Sequence, residues 1–340
     1  MLDSVLEETL VERLERLTRI ILDPNNDYFQ LRPEIKEMEA LFNEARSPQP
    51  EADHPNDGEV FTPNGLAVSA RWAELCMDDQ ARTIQFLRGA HAAIEEVRQT
   101  APDRPARLLY AGCGPYATLV VPLMSVLTPA DVEITLIEFH PGSMASARSL
   151  ITNLGYLAFV RDFIVMDAAD YVIGPDNTPD IILMEVMQSC LNKEPQVAVS
   201  RHLIEQAPDA ILIPQQIDVE LSRLSYVQDI CEDSNFGVSD PISLVFRLDK
   251  AAIERWRGID NDVLPAERVT IPDLAPSSDS LALSTRIITY GEHTLSGTAS
   301  GLTIPRYHSC LADAPFGKRV EFAYRLGASP SLFVASVEES

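Results

Sequence analysis

The sequence predicts an α/β protein: a Rossmann-like, doubly wound parallel sheet, preceded by a helical N-terminal lid and followed by a mostly antiparallel β domain. Three observations predict it. Between residues 107 and 213 short apolar runs alternate with helical spacings, as in βα units whose helices cover both faces of a parallel sheet. Two of these runs, Ile181–Met184 and Ile211–Ile213, are apolar without interruption, as strands buried on both faces require. After Pro214 the alternation stops, and strand-like stretches follow one another across turns rich in Gly, Pro, Ser and Asp.

In order along the chain, residues 2–22 place Leu2, Leu6, Leu10, Leu14, Leu17 and Ile21 at steps of three and four, which is a helix with one apolar face. Asp23-Pro24-Asn25-Asn26 stops it. A second helix follows Pro33 through Ile35, Met38, Leu41 and Phe42, and Ser47–Gly58, with three prolines among acids, reads as a loop or lid hinge. Residues 66–100 return to helical spacing through Leu75, Met77, Ile84, Phe86, Leu87, Ile94 and Val97. Then come strand 107–111, helix 117–127, strand 133–138, helix 143–154, strands 160–166 and 180–185, helix 195–206 and strand 209–213. Beyond Pro214 the strands expected are Val219–Val227, Ser243–Leu248, Leu283–Tyr290, Val320–Leu326 and Leu332–Val337, with no helix clearly alternating with them. The division expected is a lid over 1–60, a sheet domain over 61–215 and an antiparallel β domain over 216–340.

Composition narrows the function. A net charge of -24 opposes nucleic acid and anionic membrane surfaces, because phosphates would be repelled. The five cysteines, Cys76, Cys113, Cys190, Cys231 and Cys310, are odd in number and scattered without a CxxC pair, which suits a reducing cytoplasm and gives no metal site. Residues 1–22 are amphipathic and acidic, unlike a secretion signal, and no apolar run reaches membrane-spanning length. A soluble, cytoplasmic protein is expected.

The chemistry concentrates around Arg107–Tyr116 (RLLYAGCGPY) and Ile134–Glu138 (ITLIE). A strand, a glycine turn, a helix and a second strand ending in an acid suit a nucleoside-containing cofactor. Glycine lets backbone approach the ligand, and the acid accepts both ribose hydroxyl hydrogens. Gly112 and Gly114 are present, but Tyr116 stands where a third glycine would fall, so the dinucleotide fingerprint is broken. Taken alone, the turn also fits an ordinary strand–helix corner, and Asp167 a loop-capping aspartate.

The set of motifs resembles class I S-adenosylmethionine (SAM)-dependent methyltransferases, closest to the protein arginine methyltransferase type. Met77–Phe86 (MDDQARTIQF) is similar to that family's Asp-x-x-Arg-Thr helix, Leu109–Gly114 to its glycine turn, Glu185–Glu194 (EVMQSCLNKE) to its double-glutamate loop, and Leu212-Ile-Pro214 to the segment entering its β-barrel. The resemblance implies SAM as co-substrate. Arg82 would hold its carboxylate, Glu138 the ribose, and Asp167-Ala168 the adenine. Gly112 and Gly114, with Tyr110 and Tyr116, would lie beside the methionine chain, and Glu185 would face both cofactor and acceptor. Glu185, Glu194, Gln188 and Asn192 are the expected catalytic set.

The departures lie around the methionine end. Tyr110 replaces the acid that opens the motif, Pro115-Tyr116 the third glycine, and Gln188-Ser189 a Gly-Tyr, while Tyr307-His308 is a poor match to a Thr-His-Trp. A fainter resemblance, carried by Gly112-Cys-Gly-Pro115, is to nicotianamine synthases, which transfer an aminocarboxypropyl group. The activity expected is therefore biosynthetic transfer of a methyl group to a small N or O nucleophile. The alternatives are aminocarboxypropyl chemistry releasing 5′-methylthioadenosine, including closure of SAM to azetidine-2-carboxylate, and a non-catalytic SAM-binding scaffold. The resemblance also implies a homodimer through the β domain.

Overall fold

A computed structural model describes residues 8–46, 58–226, 237–273 and 279–338. Leu2, Leu6, nearly all of the expected 47–58 hinge, Val227 and Cys231 lie outside the described residues. In chain order the elements are α1 (Leu10–Leu22), α2 (Arg32–Ala45), β1 (Val60–Thr62), β2 (Gly65–Ala67), α3 (Ala70–Leu75), α4 (Gln80–Thr100), β3 (Ala106–Ala111), α5 (Val121–Met124), β4 (Val132–Glu138), α6 (Pro141–Asn153), β5 (Val160–Val165), β6 (Ile181–Met184), α7 (Gln196–Gln206) and β7 (Ile211–Ile213). They continue with β8 (Gln216–Tyr226), β9 (Gly237–Asp249), α8 (Lys250–Arg255), β10 (Val263–Thr270), β11 (Asp279–Tyr290), β12 (His293–Leu295), β13 (Arg319–Arg325) and β14 (Ser331–Val337). The chain divides into two compact units, residues 1–58 with 68–184 and residues 59–67 with 185–340.

The first unit contains the α/β arrangement expected. Its strands have the order β5-β4-β3-β6, and β3 pairs in parallel with β4 and β6, as β4 does with β5. Its register aligns the carboxyl ends: Ala111 stands opposite Ile137 and Met184, and Glu138 opposite Val165. Ligands of open α/β sheets bind beyond such an edge. β6 is buried at all four positions, the burial its unbroken apolar run predicts.

The N-terminal helices are part of this unit's core. Thr9 and Glu12 form a capping box that starts α1, and Leu14, Leu17 and Ile21 are fully enclosed, each worth about 1.5–3 kcal/mol of burial. The far end of α1 is closed from α4. The Arg88 guanidinium donates from Nε to the carbonyl of Ile21 at 2.7 Å and from Nη2 to those of Asp23 and Asn26, each at 2.9 Å. Main-chain oxygens left over at the helix end and in the Asp23–Asn26 stop are thereby satisfied.

Two helical expectations need correction. Residues 66–100 are not one helix: Leu66 and Ala67 belong to β2, Ser69 caps α3, and Asp79 caps α4 afresh. Side-chain caps at both serine and aspartate reset the backbone where apolar spacing alone reads as continuous. The helix expected over 117–127 shrinks to the four residues of α5, because Ala117 adopts a φ of 45° and Pro122 can sit only at a helix start.

The second unit is antiparallel, as expected. One sheet has the order β12-β11-β8-β9, another β10-β13-β14, and β1 pairs with β2. Its core stacks Phe246 against Trp256 at 5.4 Å and against Tyr324 at 4.9 Å between ring centroids. Beyond Pro214 three elements went unanticipated. Asp249 caps the short helix α8 by accepting from Ala252 N–H. β10 contains Pro265 and a register shift between Pro265 and Arg268, which hides its alternation. The third is β12, only three residues long.

Candidate functional site

The glycine turn in the first unit is built by the strand before it and the acid opposite. β3 runs to Ala111, and the chain then turns through Gly112 at φ 73° and Gly114 at φ 65°, the left-handed region that glycine enters without a side-chain penalty. The amides of Gly112 and Cys113 both donate to the Ile137 carbonyl, at 2.9 and 3.2 Å. The next amide, that of Gly114, donates to Glu138 Oε2 at 2.8 Å, while His140 N–H donates to Glu138 Oε1 at 2.9 Å. A carboxylate has about four lone-pair sites, so with a further backbone bond from Phe139 the acid still keeps accepting capacity. Burial pushes the Glu138 carboxyl above its ordinary range, and the His140 and Gly114 amides pull it partway back. The result is a desolvated acceptor with capacity left, at the end of the second strand. Burial also raises the Cys113 thiol well above its usual value, which makes it inert.

Around this turn the other expected residues take distinct positions. Arg82 opens α4 and is 7% exposed, and its Nη1 donates to the Cys76 carbonyl at 3.1 Å while Asp79 caps its amide at 3.0 Å. Tyr110 is buried within β3, opposite Leu136 and Leu183. Asp167 follows β5 and caps the single turn Ala168–Asp170, with Oδ1 accepting from Ala169 N–H at 3.0 Å. That is the turn-capping role its loop position also predicts.

Tyr116 faces α2. Its hydroxyl donates to Asn43 Oδ1 at 2.8 Å, the Arg46 guanidinium lies 5.2 Å over its ring, and Phe42 packs 5.6 Å away. Burial, reinforced by Glu74, raises this phenol to about 12, so it stays neutral and is no base at physiological pH. Of the first unit's set, Gly114 and Glu138 are thus joined directly.

In the second unit Glu185, Gln188, Asn192 and Glu194 share one loop. Both glutamates are buried. Ser189–Leu191 make a single tight turn, in which Gln188 supplies the carbonyl that accepts from Leu191 N–H at 3.1 Å and Asn192 the one that accepts from Glu194 N–H at 2.8 Å. Three non-glycine residues here are left-handed: Cys190 at φ 61°, Leu191 at 55° and Lys193 at 66°. Each such residue stores on the order of 1–3 kcal/mol and persists only where its surroundings fix it.

Those surroundings come from far along the chain. Thr285 Oγ1 of β11 accepts from Cys190 N–H at 2.8 Å, and Tyr324 Oη of β13 donates to the Leu191 carbonyl at 2.6 Å. Lys193 N–H donates to the Pro330 carbonyl, and Leu66 N–H of β2 to that of Lys193, both at 2.8 Å. Gly65 is indispensable beneath the loop, since a Cβ there would lie 2.9 Å from both the Lys193 carbonyl and the Pro195 nitrogen. At the entry to α7, fully buried Gln196 accepts from Val186 N–H at 3.0 Å, which leaves its Nε2 without a partner among the described residues.

Sequence reading missed Thr285, Tyr324, Gly65 and Gln196. Thr285, Tyr324 and Gly65 act on residues dozens of positions away, and Gln196, ten residues from the Val186 it holds, reads as an ordinary polar residue at a helix start. Burial raises the Cys190 thiol to about 11, so it stays protonated at physiological pH. Among the described residues no group of three or more His, Cys, Asp or Glu could hold a metal ion, and no helix is long and apolar enough to cross a membrane.

No family model matches the chain, and no curated protein matches it. Solved structures do. The chain is similar to protein arginine methyltransferase 10 of Arabidopsis thaliana, described in a uniquely open conformation, at 9% identity and a TM-score of 0.43, over 74% of this chain and 95% of that one. It is also similar to the protein arginine methyltransferase 1 enzyme–prozyme heterotetrameric complex of Trypanosoma brucei with AdoHcy, at 11% identity and a TM-score of 0.44, over 73% and 95%.

Proposed function

We propose that the chain is an enzyme that binds SAM and transfers its methyl group to a small-molecule N or O nucleophile. The observation that carries this reading is the Glu138–Gly114 pair: a buried carboxylate at the end of the second strand holds the glycine turn after the first and keeps accepting capacity beyond its backbone bonds. That is the arrangement a ribose diol needs. In this reading Glu138 accepts from the ribose, Arg82 binds the carboxylate of the methionine chain, and Asp167 with Ala168 meets the adenine edge. Gly112 and Gly114 give the ligand close approach to backbone, and Tyr110 and Tyr116 bound the methionine end.

The chemical step needs positioning more than acid catalysis. The acceptor lone pair forms the new bond to the methyl carbon as the carbon–sulfur pair returns to sulfur, leaving a neutral thioether. The acceptor's proton passes to a carboxylate, for which Glu185 is the first candidate and Glu194 the second, with Gln188 and Asn192 orienting the acceptor. A small acceptor is inferred from Gln188-Ser189 and from the poor Tyr307-His308 match. A cytoplasmic homodimer belongs to the same proposal.

The test is to incubate purified protein with SAM, alone and with candidate acceptors, and identify the sulfur product by mass. SAM is expected to stay intact alone and to give S-adenosylhomocysteine with an acceptor. Release of 5′-methylthioadenosine from SAM alone would replace methyl transfer with aminocarboxypropyl chemistry. Cofactor binding without any product would reduce the protein to a scaffold.

A further inference from the structure

We infer that Tyr324 is a positioning residue for Glu185 and Glu194, acting through the carbonyl of Leu191; the inference rests on the reading that this loop handles the acceptor. The Tyr324 ring is fully enclosed and already fixed by its stack on Phe246, so the ring alone satisfies the core. A buried hydroxyl still requires a partner. Its partner is the backbone of Leu191, one of two consecutive left-handed residues in the loop. Thr285 holds the preceding residue from another strand by accepting from its amide.

Cys190 and Leu191 are thereby gripped from β11 and β13 at once, in a conformation that side chains disfavour. Glu185 lies five residues before Cys190 and Glu194 three residues after Leu191, so the gripped pair sets the path of the chain between the two carboxylates. Without the grip, neighbouring residues would relax toward ordinary φ values, and both carboxylates would move while the sheet beneath stayed formed. Burial pushes the Tyr324 phenol far above its ordinary range, so it donates at every working pH.

The experiment uses the full chain as wild type, Tyr324→Phe, Thr285→Val and a control, Val320→Ala, which trims a buried side chain on the same strand away from the loop. Hydrogen exchange is followed at the amides of 188–194, SAM affinity by calorimetry, and S-adenosylhomocysteine formation from SAM with an equimolar mixture of the twenty free amino acids. Tyr324→Phe keeps the ring and strands one buried carbonyl. It is expected to speed exchange at Cys190 and Lys193 by about tenfold and to lower turnover by about tenfold, with SAM affinity within about twofold of wild type. Thr285→Val should do the same from the other side, and Val320→Ala should leave exchange in the loop unchanged. Unchanged exchange in both Tyr324→Phe and Thr285→Val, or a loop loosened equally by Val320→Ala, would overturn the inference. A wild type that binds SAM but turns over nothing in the mixture counts against the functional reading, and the exchange data then decide the positioning role separately.

Discussion

The glycine turn and the glutamate loop solve the same problem, holding a polar group where regular structure ends, by opposite means. The turn places glycine at both left-handed positions from Gly112 to Gly114 and fastens them to the adjoining strand through Ile137 and Glu138. The loop puts Cys190, Leu191 and Lys193 into the same region of φ without glycine and depends on tethers from β2, β11, β13 and Pro330. A site built from its own neighbours tolerates change elsewhere. One held by distant partners fails when any of them is altered.

The sharpest way to break the contrast is Gly65→Ala. Its φ of 148° already favours glycine, and the new Cβ would meet backbone at 2.9 Å, where no side chain can yield. A loss of about 3 kcal/mol or more is expected in denaturant unfolding. The glutamate loop should be displaced and SAM affinity retained.

Next in size is Glu138→Gln, which strikes the turn instead. The amide oxygen can serve one backbone donor, but the amide NH₂ then faces the other, either Gly114 or His140. A loss of about 2–3 kcal/mol in SAM binding is expected by calorimetry, close to what an unpaired buried donor costs. The same variant exposes a pH signature. Burial raises the folded pKa of Glu138 above its unfolded value near 4.3, so its contribution to stability is complete at pH below that value and is lost as pH rises through the folded pKa. The stability difference between wild type and Glu138→Gln should therefore shrink in wild type's disfavour from acid toward neutral pH. A difference that is flat with pH would place the carboxyl in a far more hydrated setting.

The smallest effect should be a gain. Lys193 is exposed and left-handed at φ 66°, so Lys193→Gly relieves strain without emptying the core. About 0.5–1 kcal/mol of added stability is expected in thermal unfolding, with faster exchange in the loop as the cost in rigidity.

The same contrast explains what could be read in advance. The positions of Gly112, Gly114 and Glu138 are legible because a parallel strand announces itself as an apolar run, with the glycines just past the end of β3 and the glutamate closing β4. The double-glutamate loop was legible as a spacing, Glu185 to Glu194, but not as a structure. Thr285 and Tyr324 lie 95 and 133 residues from the atoms they hold, and each sits in a strand whose alternation gives it an ordinary role. Tyr116 illustrates the intermediate case. Its place just after the glycine turn is legible, but the bond from its hydroxyl to Asn43 is a contact between helix and turn that no local pattern encodes. The over-long helix at 66–100 failed for a related reason, since apolar periodicity runs on through Ser69 and Asp79 while their side chains stop and restart the helix.

The measurement closest to the central claim is a calorimetric titration of the wild type and of Arg82→Ala with SAM. The wild type should bind one SAM per chain. Arg82→Ala should bind tens-fold more weakly or worse, because removing the partner of a buried carboxylate costs about 2–5 kcal/mol. Equal affinity in the two proteins would remove Arg82 from the site, and no binding to the wild type would contradict the account at its base.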